Sequence, residues 1–207
     1  MSNITLDKVI LNAENELSNR DKVMKDLIQL NGHLTYKPGT DYFSALCRSI
    51  VGQQISVAAA STIFSRLQKA TVLSPNSFKS LTNQQAKDIG LSRQKYAYIK
   101  DLATHFIENP NIYDNLDALS DDDIIAELSK VNGMGVWTAQ MFLMFTLIRL
   151  DVFAIADAGI KRAIERNYLA NESISKDKML EISIKWRPYR TVACWHLWKS
   201  LNNAPNS

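Results

Sequence analysis

Two short segments of this 207-residue chain combine residue types and spacing that could perform chemistry. The first is Val131–Ala139, in which Gly133 and Gly135 are separated by a single residue. Glycines lack a Cβ that would keep a phosphate away, and they allow backbone angles that turn N–H groups outward. The second is the carboxylate of Asp157, twenty residues after Trp137. The pattern indicates a phosphate grip followed by an acidic group.

Helices flank both segments and would position them. The glycines lie between two helical runs, 121–130 and 137–150, and the second run presents its positive N-terminal end to the same anion. Asp157 precedes Ala158–Lys161 and fits an N-cap that accepts a backbone N–H, which keeps a carboxylate ionised. A Gly-x-Gly pattern alone is more often an ordinary turn between helices, so the hairpin needs its context.

The composition is that of an ordinary globular protein, with 46% hydrophobic and 22% charged residues. The length is enough for one large core or two small lobes. A net charge of +3 and a pI near 8.8 are mildly basic, which is compatible with nucleic acid but does not establish it. No stretch reaches the roughly 18 apolar residues of a membrane span, and Met1–Glu16 lacks the apolar run of a signal peptide. We therefore expect a soluble protein without a membrane partner.

The two cysteines, Cys47 and Cys194, both lie in apolar helical runs. Such positions favour buried free thiols and a reducing cytoplasm. Two cysteines also exclude a four-cysteine iron–sulfur cluster within this chain. The spacing of the three histidines suits no metal site, and the sequence assigns no role to His33, His105 or His196.

Helical periodicity dominates the chain, and the alternation typical of strands is nearly absent. One apolar stripe, for example, consists of Phe43, Leu46, Cys47 and Ile50. Capping residues and glycines divide the pattern into roughly ten helices, and Pro75 and Pro110 are expected to break it. The sequence therefore predicts an all-α fold.

The segment Leu128–Ala139 and the downstream Asp157 resemble the helix–hairpin–helix (HhH-GPD) superfamily of DNA glycosylases. Phe43–Ser56 looks like the family segment that runs into the DNA-intercalating turn. Trp186–Arg190, followed by Trp198, looks like the closing helices of the bacterial type II 3-methyladenine DNA glycosylases.

The resemblance spans about residues 40–200 and implies two helical lobes with a cleft between them. One lobe would comprise residues 40–150, and the other would combine residues 1–39 with 151–207. The cleft would hold Trp137, Trp198 and Asp157.

By this resemblance Asp157 is the catalytic residue, a role compatible with capping the following helix. The bifunctional members carry a lysine where this chain has Trp137, and an indole cannot form their Schiff base with the sugar. The chain therefore looks like a monofunctional hydrolase without a strand-cleaving step. Ala154 replaces a proline that the family often has, which should loosen the loop without touching the carboxylate.

The resemblance also implies a base pocket and a DNA-binding surface. The pocket side chains would be Trp137, Trp198 and Met141, and an aromatic pocket suits a cationic alkylated base. Core packing is the alternative for Trp137 and for either Trp195 or Trp198. The DNA contacts would be Gly133, Gly135, Thr138, Gln53, Gln54, Arg93, Lys95 and Lys161. Gln54 would be the wedge side chain; its alternative is a solvated amide at a helix break, and solvated faces are the default for the basic residues.

No cofactor is required by this chemistry, but in the family the hairpin carbonyls hold a monovalent cation. Here a Na⁺ or K⁺ would be held by the carbonyls of Ser129, Val131 and Met134. The expected partner is damaged double-stranded DNA, bound by a monomer. The place of action would be the bacterial nucleoid within the cytoplasm, or the nucleus of a eukaryote.

The expected reaction is hydrolysis of the N-glycosidic bond of an alkylated purine, such as 3-methyladenine or 7-methylguanine, in duplex DNA during base excision repair. The base has to leave the stack to be reached, so base flipping is required. Two alternatives stay open: a glycosylase for oxidised or deaminated bases, and a non-catalytic hairpin that only grips the DNA backbone. Asp157 and the aromatic pair argue against the second, because a grip needs neither.

Overall fold

The computed structural model describes residues 3–202, and the regular structure in that range is helical. The α-helices of these residues are α1 (Asn3–Arg20), α2 (Lys22–Asn31), α3 (Tyr42–Gly52), α4 (Val57–Ala70), α5 (Pro75–Lys79), α6 (Asn83–Ile89), α7 (Arg93–Glu108), α8 (Pro110–Tyr113), α9 (Asp121–Leu128), α10 (Val136–Phe145), α11 (Ala158–Tyr168), α12 (Lys176–Ile184) and α13 (Arg190–Asn202). A short 3₁₀ turn, Leu116–Ala118, precedes α9. The predicted all-α class is confirmed. No helix in this range is long and apolar enough to cross a bilayer.

The helices outnumber the roughly ten expected from the sequence, because two prolines begin short helices. Ser74 caps α5 by accepting the Ser77 N–H, and Pro75 is the first residue of that helix. Pro110 likewise opens α8 directly after α7. Proline suits this position, since its missing N–H has no helical partner there and its φ is already helical. Both prolines, expected only as breaks, are therefore helix starts.

The helices group into two compact units. One consists of Gly39–Phe142 and is called the hairpin unit below. The other, called the terminal unit, combines the chain up to Pro38 with the chain from Leu143 onward.

The boundary at Phe142 differs from the one expected at residue 150. Residues 143–150 belong with the terminal unit, where the chain after α10 is bound to α13. The Thr191 N–H donates to the Leu150 carbonyl at 2.9 Å. Hydrophobic periodicity runs through this stretch without a break, so the sequence carried no signal for the boundary.

Helix α7 is the centre of the hairpin unit and packs against α3, α5, α6 and α8. The predicted apolar stripe of α3 is buried along its whole length, which confirms it. Burial raises the pKa of the Cys47 thiol well above its ordinary value, and the nearby Asp41 charge adds to this. The thiol therefore stays protonated and behaves as an apolar core group.

Helix α13 is the centre of the terminal unit and packs against α1, α2 and α11. Its buried residues include Cys194 and Trp195. Burial raises the pKa of the Cys194 thiol to about 12. Both cysteines are free and buried, as the sequence predicts.

A buried carboxylate, Glu14 in α1, ties the terminal unit together through residues to which the sequence assigned no role. Its Oε1 accepts the Leu34 backbone N–H at 3.0 Å and lies 3.0 Å from His196 Nε2. Its Oε2 lies 2.6 Å from His33 Nδ1. Glu14 and His196 are 2% and 0% exposed, so water cannot replace the contact between them. A carboxylate this deeply buried is tolerated because its hydrogen bonds are made within the protein.

Hydrogen bonds move the pKa values of Glu14 and His33 in opposite directions. Burial alone would raise the pKa of Glu14, but the bonds from two histidines and the Leu34 N–H outweigh it and leave the pKa below 4.5. The hydrogen bond to Glu14 raises the pKa of His33 above 6.5 against the effect of burial, and Asp7 contributes. The carboxylate contributes stability that is lost as the pH falls through its folded pKa. The imidazole contributes stability that is lost as the pH rises through its own folded pKa.

We predict that Glu14→Gln lowers the free energy of unfolding by about 2 kcal/mol, because a single amide oxygen replaces the two oxygens that now accept hydrogen bonds. Urea unfolding should show the largest loss between pH 4.5 and 6.5, where the carboxylate is charged and His33 is protonated. Glu16→Gln is the matched control, since the exposed Glu16–Arg20 pair should contribute less than about 1 kcal/mol. A loss that does not vary with pH would contradict this account.

Candidate functional site

The hairpin between α9 and α10 turns on Gly133. This residue has a φ of +80°, in the left-handed region that favours glycine. The φ of Gly135 lies outside that region. Its carbonyl accepts the Ala139 N–H at 3.1 Å, so α10 begins directly after it. The special backbone angle expected of both glycines is therefore a property of Gly133 alone.

The two glycines lack side chains for different reasons. A Cβ on Gly133 would overlap the ring carbons of Tyr98 in α7, which packs directly against the hairpin. A Cβ on Gly135 would meet nothing within 4 Å. Gly133 is thus required for packing inside the protein. Gly135 leaves space for an external group at the positive end of α10.

Side chains from α7 and from the end of α3 hold the hairpin in place. Asp101 Oδ2 accepts from the backbone N–H and the side-chain amide of Asn132, at 2.8 and 3.0 Å. Gln53 donates its Nε2 to the Gly133 carbonyl at 2.9 Å. Tyr98 and Asp101 belong to no motif of the sequence, and their distance along the chain from the hairpin hid their role.

A cavity of about 810 Å³ opens beside the hairpin within the hairpin unit. It brings together most of the site residues that the sequence predicted in this unit: Gln53, Gln54, Lys95, Gly133, Trp137, Thr138 and Met141. Trp137 is 45% exposed, which is not a core position, whereas Thr138 is buried. Gln54 is exposed and has a φ of +56°. The cavity wall therefore carries an indole, a thioether and several amides.

The predicted basic contacts of the hairpin unit lie in different surroundings. Lys95 donates its Nζ to the Val51 carbonyl at 2.7 Å, at the end of α3, and burial lowers the pKa of its ammonium. Arg93 is exposed at the start of α7 and lines surface clefts with Asn83 and Tyr96. The structure therefore places Lys95 beside the hairpin cavity and Arg93 outside its lining.

The ligands predicted for a Na⁺ or K⁺ ion are the backbone carbonyls of Ser129, Val131 and Met134 in the hairpin. Ser129 directly follows the last residue of α9, where the carbonyls form the negative end of the helix. The Val131 carbonyl accepts the Met134 N–H at 3.0 Å and has a second lone pair. Such carbonyls are the oxygen ligands that alkali cations take in proteins, so the donor chemistry fits. Among the described residues, no group of three or more His, Cys, Asp or Glu side chains could hold another metal.

Asp157 caps α11 in the terminal unit, as its sequence position predicts. Its Oδ1 accepts the Ile160 N–H at 2.8 Å, and its carbonyl accepts the Lys161 N–H at 3.0 Å. The turn before it is closed by a bond from the Asp157 N–H to the Ala154 carbonyl at 2.9 Å, although alanine stands where the family often has proline. The half-buried carboxylate therefore faces the positive end of an eleven-residue helix.

Trp198 in α13 donates its indole N–H to the same Asp157 Oδ1 at 2.8 Å. Gly159 makes room for this bond, because a Cβ there would lie 3.0 Å from Asp157 Oδ1 and 3.1 Å from Trp198 Nε1. Trp195 is 1% exposed and Trp198 is half-buried. Of the two tryptophans, Trp195 is therefore the core residue and Trp198 the one beside the carboxylate.

An aromatic cluster that the sequence did not predict surrounds the two tryptophans. Tyr36 stacks on Trp195 with ring centroids 3.9 Å apart. The ring centroid of Phe145 lies 5.7 Å from that of Trp198 and 5.9 Å from that of Tyr36. Phe145 is 38% exposed. The only sequence signal for these two residues was their aromatic type.

Lys161, the remaining residue predicted to contact DNA, is exposed in α11.

A family model described as HhH-GPD superfamily base excision DNA repair protein matches residues 47–188. The chain belongs to this superfamily. The matched range contains the hairpin, the Gln54 turn and Asp157, and it ends before Trp198.

Individual relatives within the HhH-GPD superfamily cover much of the chain. DNA-3-methyladenine glycosylase 1 of Schizosaccharomyces pombe is 28% identical over 199 residues, which are 91% of this chain and 86% of that protein. YfjP of Bacillus subtilis, whose name provisionally describes it as a DNA-3-methyladenine glycosylase, is 32% identical over 168 residues, or 77% of this chain. This chain spans 58% of the length of YfjP.

A solved structure has the same HhH-GPD fold. The 3-methyladenine DNA glycosylase of S. pombe in complex with abasic DNA superposes with a TM-score of 0.81 and 26% identity. The match covers 94% of this chain and all of that one.

We predict opposite results for the two hairpin glycines. Gly133→Ala should lower the free energy of unfolding by about 2–5 kcal/mol, because the added Cβ overlaps Tyr98 and the residue has to hold a positive φ. Gly135→Ala should change it by less than about 1 kcal/mol, since its Cβ enters open space. Urea unfolding of the two variants checks this, and equal losses would contradict the division of roles.

Proposed function

We propose that this HhH-GPD protein is a monofunctional DNA glycosylase that hydrolyses the N-glycosidic bond of alkylated purines in duplex DNA, with 3-methyladenine and 7-methylguanine as substrates. One observation carries the proposal. The Asp157 carboxylate is held at the start of α11 by hydrogen bonds from the Ile160 N–H and the Trp198 indole, both at 2.8 Å. A module that only gripped DNA would need no carboxylate fixed in this way.

The reaction requires stabilisation of positive charge on the sugar rather than protonation of the base. A purine methylated at N3 or N7 already carries positive charge, so it leaves without a proton from a general acid. The sugar gains oxocarbenium character as the bond breaks, and a fixed carboxylate stabilises that charge and orients the attacking water. The water bonds to C1′ as the C1′–N bond breaks, its proton passes to the solvent, and the bond electrons leave with the base, which departs as a neutral molecule. Asp157 supplies this carboxylate.

A charged base also accounts for the aromatic side chains among the predicted site residues. Trp137 and Trp198 are both partly exposed, and each offers a π face to a cation. Such contacts contribute about 0.5–2 kcal/mol. Met141 lies with Trp137 in the hairpin cavity and adds a polarisable thioether. These side chains favour a cationic base over a neutral one of similar size.

The names of the relatives support the same substrate class. The S. pombe sequence relative and the S. pombe solved structure both carry 3-methyladenine in their names, and the sequence relative aligns over 86% of its own length. YfjP supports it less, because this chain spans only part of that protein. We propose that the chain belongs to the subclass of the bacterial type II 3-methyladenine DNA glycosylases.

The proposed partner is damaged duplex DNA, bound by a monomer in the nucleoid or nucleus. The space at Gly135 suits a phosphate at the positive end of α10, and the exposed Gln54 would fill the gap left by the flipped base. Arg93 and Lys161 are exposed cations that could contact further phosphates. A Na⁺ or K⁺ on the carbonyls of the hairpin would add positive charge at the same phosphate.

We predict that the protein releases 3-methyladenine and 7-methylguanine from methylated duplex DNA faster than it releases hypoxanthine, uracil or 8-oxoguanine. Each single-turnover rate has to be divided by its uncatalysed rate, because cationic bases also leave more easily by themselves. A preference for a neutral base after this correction would instead indicate a glycosylase for oxidised or deaminated bases. No release of any base would leave only a binding module.

The same reactions test the absence of a lyase step. The strand should stay intact with an abasic site, and borohydride should trap no protein–DNA adduct, because Trp137 stands where a Schiff-base lysine would be needed. An adduct that disappears when one lysine is replaced would overturn the monofunctional assignment.

We predict that Trp198→Phe lowers the single-turnover excision rate on the order of tenfold, by equal factors for 3-methyladenine and hypoxanthine, without weakening duplex binding. Phenylalanine keeps an aromatic face but loses the N–H that orients Asp157. Trp198→Ala should remove the face as well and lower the rate further for the cationic base. A wild-type rate for Trp198→Phe would mean that only the aromatic face matters.

A further inference from the structure

Gln53 and Gln54 are neighbours in the turn after α3, yet the structure places them differently. The Gln54 side chain is exposed, and its backbone has a φ of +56°. Gln53 is half-buried and donates its Nε2 to the Gly133 carbonyl at 2.9 Å, across 80 residues of sequence. One amide therefore faces outward while the other connects the turn to the hairpin.

The acceptor end of this bond is held rigidly by α7. The Tyr98 ring packs on Gly133 so closely that a Cβ could not be added there. The neighbouring Asn132 is bound through two hydrogen bonds to Asp101 Oδ2. The Gly133 carbonyl thus has little freedom to move relative to α7.

The donor end is held by the same helix. Lys95 in α7 donates to the Val51 carbonyl in the last turn of α3, at 2.7 Å. The Gln53 N–H adds a bond to the Ile50 carbonyl at 3.3 Å. Gln54 follows in the left-handed region, which a residue with a side chain keeps only where its surroundings fix it. The bond from the Gln53 side chain to the Gly133 carbonyl connects this turn to the hairpin, and it can therefore fix the backbone of Gln54.

We propose that Gln53 is a positioning residue that couples the hairpin to the Gln54 turn, so that a duplex gripped at the hairpin meets the Gln54 side chain in a fixed register. The proposal rests on the proposed function, in which Gln54 enters the duplex beside a damaged nucleotide. It replaces the expectation that Gln53 is itself a DNA contact, since one of its two amide N–H groups is already bound to Gly133.

The test is a double-mutant cycle read by fluorescence. The probe is a duplex that carries 2-aminopurine next to a tetrahydrofuran abasic-site analogue. Entry of Gln54 unstacks the 2-aminopurine and raises its emission without any bond being broken. Gln53→Ala should lower the insertion equilibrium on the order of tenfold, the scale of one hydrogen bond. In the Gln54→Ala background the same change should have no further effect, because Gln53 acts only through Gln54.

Three controls accompany the cycle. Gln53→Glu keeps the length but sets a carboxylate oxygen against the Gly133 carbonyl, and it should lose at least as much insertion as Gln53→Ala. Gln84→Ala removes an exposed amide that donates to Asp88 at 2.8 Å elsewhere in the hairpin unit, and it should leave insertion unchanged. Thermal unfolding and anisotropy with undamaged duplex should match the wild type for Gln53→Ala and for Gln84→Ala.

Additive losses from Gln53→Ala and Gln54→Ala would overturn the proposal, because they would show independent actions. An equal loss of affinity for undamaged duplex would also overturn it and make Gln53 a DNA contact. The fluorescence requires no catalysis. A wild-type protein that inserts normally but excises no base would therefore contradict the proposed function and leave the coupling supported.

Discussion

The half-buried Asp157 carboxylate is fixed beside the Trp198 indole, and the local structure of the terminal unit depends on this arrangement. The Ile160 N–H and the Trp198 indole both donate to Oδ1 at 2.8 Å. Two donors on one carboxylate oxygen restrict the side chain to one geometry. Gly159 follows from the same constraint, since any side chain there would crowd both partners. Trp198 is in turn placed by α13, the helix at the centre of this unit.

In the hairpin unit the corresponding constraint acts on the backbone of the hairpin, which is proposed to present N–H groups to an anion. A loop that binds through N–H groups gains little if its backbone is free to move. Tyr98, Asp101 and Gln53 each restrain the hairpin from outside it. The consequence is that the two glycines, which look equivalent in the sequence, have separate tasks. Gly133 accommodates Tyr98, and Gly135 leaves the start of α10 open.

Much of this could be predicted from local sequence patterns. The all-α class follows from helical periodicity, the buried stripe of α3 from its spacing, and the cap at Asp157 from its position before a helix. The start of α5 at Pro75 was missed because proline both ends helices and begins them. Such patterns involve residues that are close together in the sequence, so they predict only local structure.

The contacts that shape the site lie beyond that range. Trp198 is 41 residues from Asp157, and Gln53 is 80 residues from Gly133. No periodicity links such pairs, because they meet only when separate helices pack. The cluster of Glu14 with two histidines was hidden for the same reason. Residue types suggested the chemistry, and tertiary packing decided which partner each side chain has.

The most direct test of the central claim is the single-turnover release of 3-methyladenine from methylated duplex DNA by the wild type and by Asp157→Asn. Asparagine keeps an oxygen that can accept from Ile160 and Trp198, so the cap and the fold should survive while the charge is lost. We predict a fall in rate on the order of 100-fold or more with unchanged affinity for the duplex. A variant that excises the base at nearly the wild-type rate would contradict it.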